Sequence, residues 1–451
     1  MATLLIHHIR AVLLNARTGE TLSDAAIAVH TNVIVWVGPT DDIPSEYLDA
    51  DRIVNAADHV VIPGLVNTHH HLYQTLTRAV ATGSELFPWL TTLYPMWARL
   101  TAESVYTSAL VGMAELMLSG CTTTSDHLYL FPNDASIDDE IRAGADIGMR
   151  FHAARGSMSL GESDGGLPPD SVVQSADEIL QDTARAIEEH HDPAEFAMTR
   201  LVVAPCSPFS VTADLMRESA VLARHYGVAM HTHLAETHDE QTFCLETFGH
   251  KPVAYAEDLG WVGSDVWWAH GVVLSEEEVK LVGSTRTGVA HCPTSNMRLA
   301  SGIAPVTSLV DTDARVGIGV DGSASNDGSH MLGEVRQTML LQRVARHSTL
   351  FSHMRALELA TIGGAEVLGR SDIGTISVGK AADIVGFDLN DIAYTGALHD
   401  PVAALVFCAP TTVSFSVING RVVVENRMLQ TIDLGETLSR HRDLSEGVVL
   451  G

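Results

Sequence analysis

Between residue 60 and about residue 320 the sequence states one theme eight times: a short apolar, β-rich run ending in polar or ionisable residues, followed by a stretch with helical spacing. The runs occupy residues 60–71, 120–127, 149–156, 201–207, 228–233, 266–271, 288–293 and 316–321. Nearly continuous apolar runs require strands buried on both faces, which is the condition of a parallel sheet covered by helices. Eight strand-helix units favour a (β/α)8 TIM-type barrel over a doubly wound sheet, and a barrel gathers the polar run ends on one rim. The intervening segments carry helix signals. Thr101 can cap a stretch in which Val105, Ala109, Leu110, Met113, Leu116 and Met117 recur at helical spacing and Gly120 is the stop; Thr212 and Gly227 frame another.

The flanks do not continue this theme. Residues 1–60 and 372–430 hold short β-type runs, too few on either side to be stable alone. They are expected to combine into one small β-sandwich domain beside an α/β catalytic barrel of residues 61–371, leaving residues 431–451 as a C-terminal tail. A chain of 451 residues with 46% hydrophobic content can fill such a core.

Charge and cysteine usage narrow the partners. A formal net charge of -29, with no Lys or Arg run, repels a phosphate backbone and argues against polymeric nucleic acid. The five cysteines are odd in number and scattered, without Cys-x-x-Cys spacing, as suits a reducing cytoplasm. His7, His8 and Arg10 interrupt the first apolar run, and no stretch approaches the roughly 20 apolar residues of a membrane span. A soluble, cytoplasmic protein without membrane contact is expected.

Three rim segments carry the chemistry. His69 and His71 alternate with His70, so on an extended backbone they project the same way and can meet one ion. His233 stands before Leu234-Ala235-Glu236, and Asp321 follows Val320 at the end of the eighth run. His69, His71, His233 and Asp321 form a three-imidazole, one-carboxylate set that suits one zinc or another first-row divalent ion, iron included. Such an ion lowers the pKa of water from 15.7 to about 7. Glu236, three residues past His233, is placed to shuttle the proton, His270 at the end of run six to orient the nucleophile, and Asp321 to accept a proton as well as ligate. His231 is assigned to packing or support, and His127 and His291 to the pocket wall.

These segments resemble the amidohydrolase superfamily over essentially the whole chain. Pro63-Gly64-Leu65-Val66-Asn67-Thr68-His69-His70-His71, His233-Leu234-Ala235-Glu236, Ala269-His270 and Gly319-Val320-Asp321-Gly322 match its deaminase branch, and Val378-Gly379-Lys380-Ala381-Ala382-Asp383 resembles the entry to that family's small β-domain. The bridging lysine of the dinuclear branch is absent from run four, which ends Ala204-Pro205-Cys206-Ser207, so the resemblance implies one metal. Within the branch the chain is similar to the 8-oxoguanine deaminases, through stretches such as His71-Leu72-Tyr73-Gln74-Thr75 and Asp321-Gly322-Ser323-Ala324-Ser325. Guanine, isoxanthopterin and hydroxytriazine aminohydrolases border that group. The resemblance implies hydrolysis of a small heterocycle's exocyclic C–N bond, 8-oxoguanine giving urate and ammonia, and association into homo-oligomers. Gln74, Arg155, Cys206 and Ser207 are the expected substrate contacts, with Trp89, Tyr94 and Trp97 on the same loop able to close over a flat ring. A non-catalytic barrel acting as a binding protein is the competing class; it would be expected to lack a ligand or the shuttle, and neither is missing.

Overall fold

In the computed structural model, which describes residues 3–451, each of the eight runs contributes one strand to a closed parallel barrel. The strands are Leu65–Asn67, Cys121–Leu128, Arg150–Ser157, Thr199–Pro205, Ala229–Leu234, Val266–His270, Gly288–His291 and Arg315–Ile318. Cys121–Leu128 and Arg150–Ser157 are buried at every position, as strands between a filled barrel interior and a helical ring must be. The anticipated helices form where their caps allow. Thr101 accepts the Ser104 N–H ahead of Ala102–Leu118, and Thr212 accepts the Leu215 N–H ahead of Ala213–Tyr226, which ends on left-handed Gly227.

The first run is not one strand. It divides at Gly64, with His59–Pro63 in a separate sheet and Leu65–Asn67 in the barrel. Gly64 N–H donates to Asp383 O at 3.0 Å and Leu65 N–H to Gly120 O at 2.9 Å, so adjacent residues bond to different sheets. Only glycine fits there, because a Cβ would lie 2.0 Å from Thr122 Oγ1.

The separate sheet draws on both chain ends. His59–Pro63 runs parallel to Leu4–Asn15 on one side and antiparallel to Ile384–Asp388 on the other. Glu20–His30 and Val33–Pro39 extend it in one direction, Phe415–Ile418 and Arg421–Glu425 in the other. Its buried face is apolar, with Ile6, Ile9, Val12, Ile27, Val29, Ile384 and Val417 in one cluster.

The expected tail is a helix, Leu434–Leu450, capped by Asp433, which accepts the Glu436 N–H at 3.0 Å. It docks on the 3-10 turn Leu72–Thr77: Ser445 Oγ donates to Leu76 O at 2.7 Å, His441 Nε2 lies 2.9 Å from Thr75 Oγ1, and Val448 is buried. Among the described residues no helix is long and apolar enough to cross a membrane, and all five cysteines are free.

Candidate metal centre

His69, His70 and His71 lie just past Asn67, beyond the strand proper but still extended between neighbours. Asp321 N–H donates to His69 O at 3.1 Å from one side, and His127 N–H to His70 O at 2.8 Å from the other. His70 turns away: its Nδ1 accepts the His71 N–H and its Nε2 meets Ser329 Oγ at 3.0 Å. His69 and His71 face the barrel axis with His233.

The tautomers of these three rings follow from their outer partners. His71 Nδ1 donates to His127 O at 2.7 Å and His233 Nδ1 to Cys206 O at 2.8 Å, since a carbonyl can only accept. His231 Nδ1 donates to Trp267 O at 3.0 Å, so its Nε2 accepts from His69 Nδ1 at 2.8 Å. Every proton is therefore on the outer nitrogen, and three Nε2 lone pairs point inward. His71 Nε2 and His233 Nε2 are 3.1 Å apart with no proton left to bridge them, and buried His69 Nε2 has no hydrogen-bond partner. Asp321 Oδ1 sits 3.3 Å from His69 Nε2 and 3.4 Å from His71 Nε2. Converging lone pairs and a carboxylate repel unless a cation lies among them, so the donor set fits a divalent metal ion.

The electrostatics agree. Burial holds the His69 and His233 imidazoles well below the usual histidine range and lowers His71, keeping them neutral ligands. Burial pushes the Asp321 carboxyl up, but the His69, His270 and His71 rings around it outweigh this and keep it well below the ordinary range, ionised. Its Oδ2 accepts hydroxyls from Ser295 at 2.5 Å and Ser325 at 3.3 Å.

Beside this set lies a buried carboxylate–imidazole pair. Glu236 Oε2 is 3.4 Å from His270 Nε2, and His270 Nδ1 donates to Asn296 Oδ1 at 3.0 Å, which aims Nε2 inward. Burial raises the Glu236 carboxyl, with His270 opposing it. Burial lowers His270, but the charges of Glu236 and Asp321 outweigh it and hold the imidazole above its ordinary value. The backbone is strained here: Ala235, His270 and Asp321, none of them glycine, have φ of 55°, 75° and 63°. Left-handed backbone of this kind costs on the order of 1–3 kcal/mol per residue and clusters where side chains must be aimed.

The cleft above this centre has about 400 Å³ of empty space with its open mouth included, and His71, His233, Glu236, His270 and Asp321 form its floor. Gln74, Cys206 and Ser207 line its walls as expected, and so do Trp89 and Tyr94 from the helix Leu86–Trp97. Gln74 packs so tightly on Gly322 that a Cβ there would come 1.9 Å from Gln74 Oε1. Burial pushes the Cys206 thiol up to about 12, so it meets the cleft uncharged.

Arg155 is a correction. It does not reach the cleft: its buried guanidinium is consumed by Asp182 at 3.0 Å, Gln174 Oε1 at 3.1 Å and Gly156 O at 2.6 Å, and it stacks over Phe131. With its guanidinium turned to these three acceptors and absent from the cleft lining, Arg155 is not placed to meet a substrate there. Trp97 also stays behind the wall, donating to Thr77 Oγ1, and neither His127 nor His291 lines the cleft: His127 stacks on His233 and donates to Ala204 O, while His291 is buried. His231 holds His69. Nothing in the sequence marked what Asn296, Ser295, Ser325 and Glu240 touch, because single polar residues in a short helix or turn carry no motif that names their partners.

With this geometry in hand, comparison with known proteins is informative. Residues 60–423 match the model of the Amidohydrolase family. The chain is 48% identical over 401 residues to an 8-oxoguanine deaminase of Pseudomonas aeruginosa, covering 88% of this chain and 89% of that protein. It is 37% identical over 435 residues to a hydroxydechloroatrazine ethylaminohydrolase of a Pseudomonas species, covering 92% and 89%. A crystal structure of atrazine chlorohydrolase from Arthrobacter aurescens complexed with zinc superposes with a TM-score of 0.92 at 32% identity, over 98% of this chain and 100% of that one.

Proposed function

The chain belongs to the amidohydrolase family, and from that premise we propose that it is a metal-dependent deaminase that hydrolyses 8-oxoguanine to urate and ammonia. The observation that carries the reading is the convergence of three deprotonated Nε2 atoms and the Asp321 carboxylate, with the Glu236–His270 pair alongside. His69, His71, His233 and Asp321 would hold a single ion. Imidazole and carboxylate donors suit zinc, and the similar atrazine chlorohydrolase was crystallised with zinc. When bound, such an ion supplies Lewis acidity and makes hydroxide available from water near neutral pH.

The residues divide the remaining work. Glu236 takes one proton from the attacking water and delivers it to the ring nitrogen next to the amino-bearing carbon, as its raised carboxyl favours. His270, fixed by Asn296, donates from Nε2 to the oxygen on which charge develops. Asp321, its Oδ2 steadied by Ser295 and Ser325, relays the second proton to the departing amine, which leaves as ammonia. The C–NH2 bond breaks as the oxygen, having given up both protons, closes to the carbonyl of urate, and the first proton stays on the ring nitrogen.

Gln74, Cys206 and Ser207 are the contacts we assign to the heterocycle. Gln74 Oε1 and the Tyr94 hydroxyl are buried at this cleft without partners, and a bound purine's N–H and C=O edges would satisfy them. The free cysteines, all but Cys408 buried, suit a reducing cytoplasm. The test is ammonia release from metal-analysed protein given 8-oxoguanine, guanine, isoxanthopterin and a hydroxytriazine in turn. The highest kcat/KM on 8-oxoguanine is expected; a clear preference for another amino-heterocycle would reassign the substrate, and no release from any would end the deaminase reading.

A further inference from the structure

Glu240 makes contacts that the mechanism above does not use. Its side chain is buried, it stands one turn into the helix His238–Phe248, and its carboxylate meets no arginine, lysine or histidine. Instead Oε1 accepts the N–H of Ala235 at 2.9 Å and Oε2 accepts the N–H of Glu236 at 2.7 Å. These two amides lie just past the strand Ala229–Leu234, where the chain leaves the barrel ladder and Ala235 takes its left-handed turn. From the opposite side, Ala235 O accepts the N–H groups of Val272 and Val273, each at 2.8 Å. The peptide that carries Glu236 is thus gripped on both edges.

We propose that Glu240 is a positioning residue: its carboxylate clamps the Ala235 and Glu236 amides and so aims the Glu236 side chain at the nucleophile and at His270. The inference rests on the reading of Glu236 as proton shuttle. A carboxylate is what this site requires, because two adjacent N–H donors need two acceptors at a fixed spacing. An amide of the same size offers one oxygen and sets an NH2 group against the other N–H. The arrangement is costly, since burial, together with the nearby Glu236 charge, pushes the Glu240 carboxyl up to about 7 against the pull of the two amides. A fold needing only a closed helix start already has one, because Thr237 Oγ1 accepts the Glu240 N–H. The carboxylate serves the turn instead. Displacing a catalytic group by about 1 Å can cost about 10²-fold in rate, which is the scale at stake when this clamp is opened.

The experiment pairs Glu240→Gln with Glu236→Gln in the metal-loaded protein. Glu240→Gln is expected to lower kcat by about 10- to 100-fold with KM nearly unchanged and metal content intact, and to speed hydrogen exchange at the Ala235 and Glu236 amides. In the Glu236→Gln background the same substitution should produce no further fall in kcat, since there is no shuttle left to aim. Equal losses in both backgrounds, or an unchanged kcat, would overturn the proposal in favour of a purely structural role. Unchanged turnover in Glu236→Gln alone would instead remove the shuttle, and amide exchange in Glu240→Gln then reads the clamp separately. Should Glu240→Gln fail to fold, Glu240→Asp keeps the charge but withdraws it by one methylene, and it should give the same background-dependent loss at smaller size.

Discussion

The two ends of the barrel both bury charge, and they treat it in opposite ways. At the foot, where strands begin, Arg150, Arg370 and Arg315 are each held by several acceptors. Arg150 holds Asp383 at 2.9 and 3.0 Å and donates to Phe196 O and Ala197 O; Arg370 holds Asp372; Arg315 donates to the carbonyls of Arg286, Glu366 and Val266. At the mouth, lone pairs converge unshared on His69, His71 and His233, and Gln74 Oε1 and the Tyr94 hydroxyl lack partners. A protein meets its polar obligations internally where only stability is at issue and leaves them open where a ligand will meet them.

That contrast can be broken from either end. Stripping the metal with a chelator should abolish turnover and lower stability by the linkage of a lost tight ligand; zinc restoring both, with iron restoring less, is the expected outcome, read by activity and thermal unfolding. Asp383→Ala should cost about 3–5 kcal/mol in denaturant unfolding, because it strands the Arg150 charge in the interior. Metal content per folded molecule should not change. Glu236→Gln should do the reverse, cutting kcat by about 10²-fold or more while unfolding shifts by less than about 0.5 kcal/mol. If the foot substitution slowed chemistry more than it loosened the fold, the division of labour drawn here would be wrong. Gln74→Ala should lower kcat/KM on 8-oxoguanine by about tenfold and narrow its lead over guanine, whereas an unaltered ranking would remove Gln74 from recognition.

The smallest effect concerns the helix Leu434–Leu450, docked on the turn Leu72–Thr77. Burial, with Arg78 nearby, lowers the His441 imidazole to about 4, against an unfolded value of about 6.5. Between those values the unfolded chain binds the proton first, so stability is full above about pH 6.5 and declines as pH falls towards 4. His441→Gln should flatten that slope by about 1 °C in Tm per pH unit, which a melting series from pH 7 to 4.5 would resolve.

The same contrast explains what could be read from the residue string. Strands and the residues that converge at the rim were legible because they obey local rules: apolar runs ending in His or Asp announce both a barrel strand and its rim. The pairing of His69 with His71 emerged from strand alternation, although both residues stand just beyond Asn67 and owe their direction to bonds from Asp321 and His127. Partners that arrive from afar were not legible. Arg155 could equally have served the heterocycle or a structural carboxylate, and the choice was hidden because Asp182, its counter-charge, comes from a helix 27 residues on. The division at Gly64 was hidden because an apolar run reads alike whether it serves one sheet or two. Residues 431–451 looked like a tail, yet Asp433 and Glu436 mark a helix start that only docking on Leu72–Thr77 makes worth forming.

Gly64 has a temporal consequence. His59–Pro63 is hydrogen-bonded to Ile384–Asp388, so the segment leading straight into the first imidazoles of the candidate metal centre gains its second neighbour only after some three hundred further residues have left the ribosome. Until then one edge of that strand stays bare, and a nascent chain stalled short of residue 384 would present it to other chains as a ready template for aggregation.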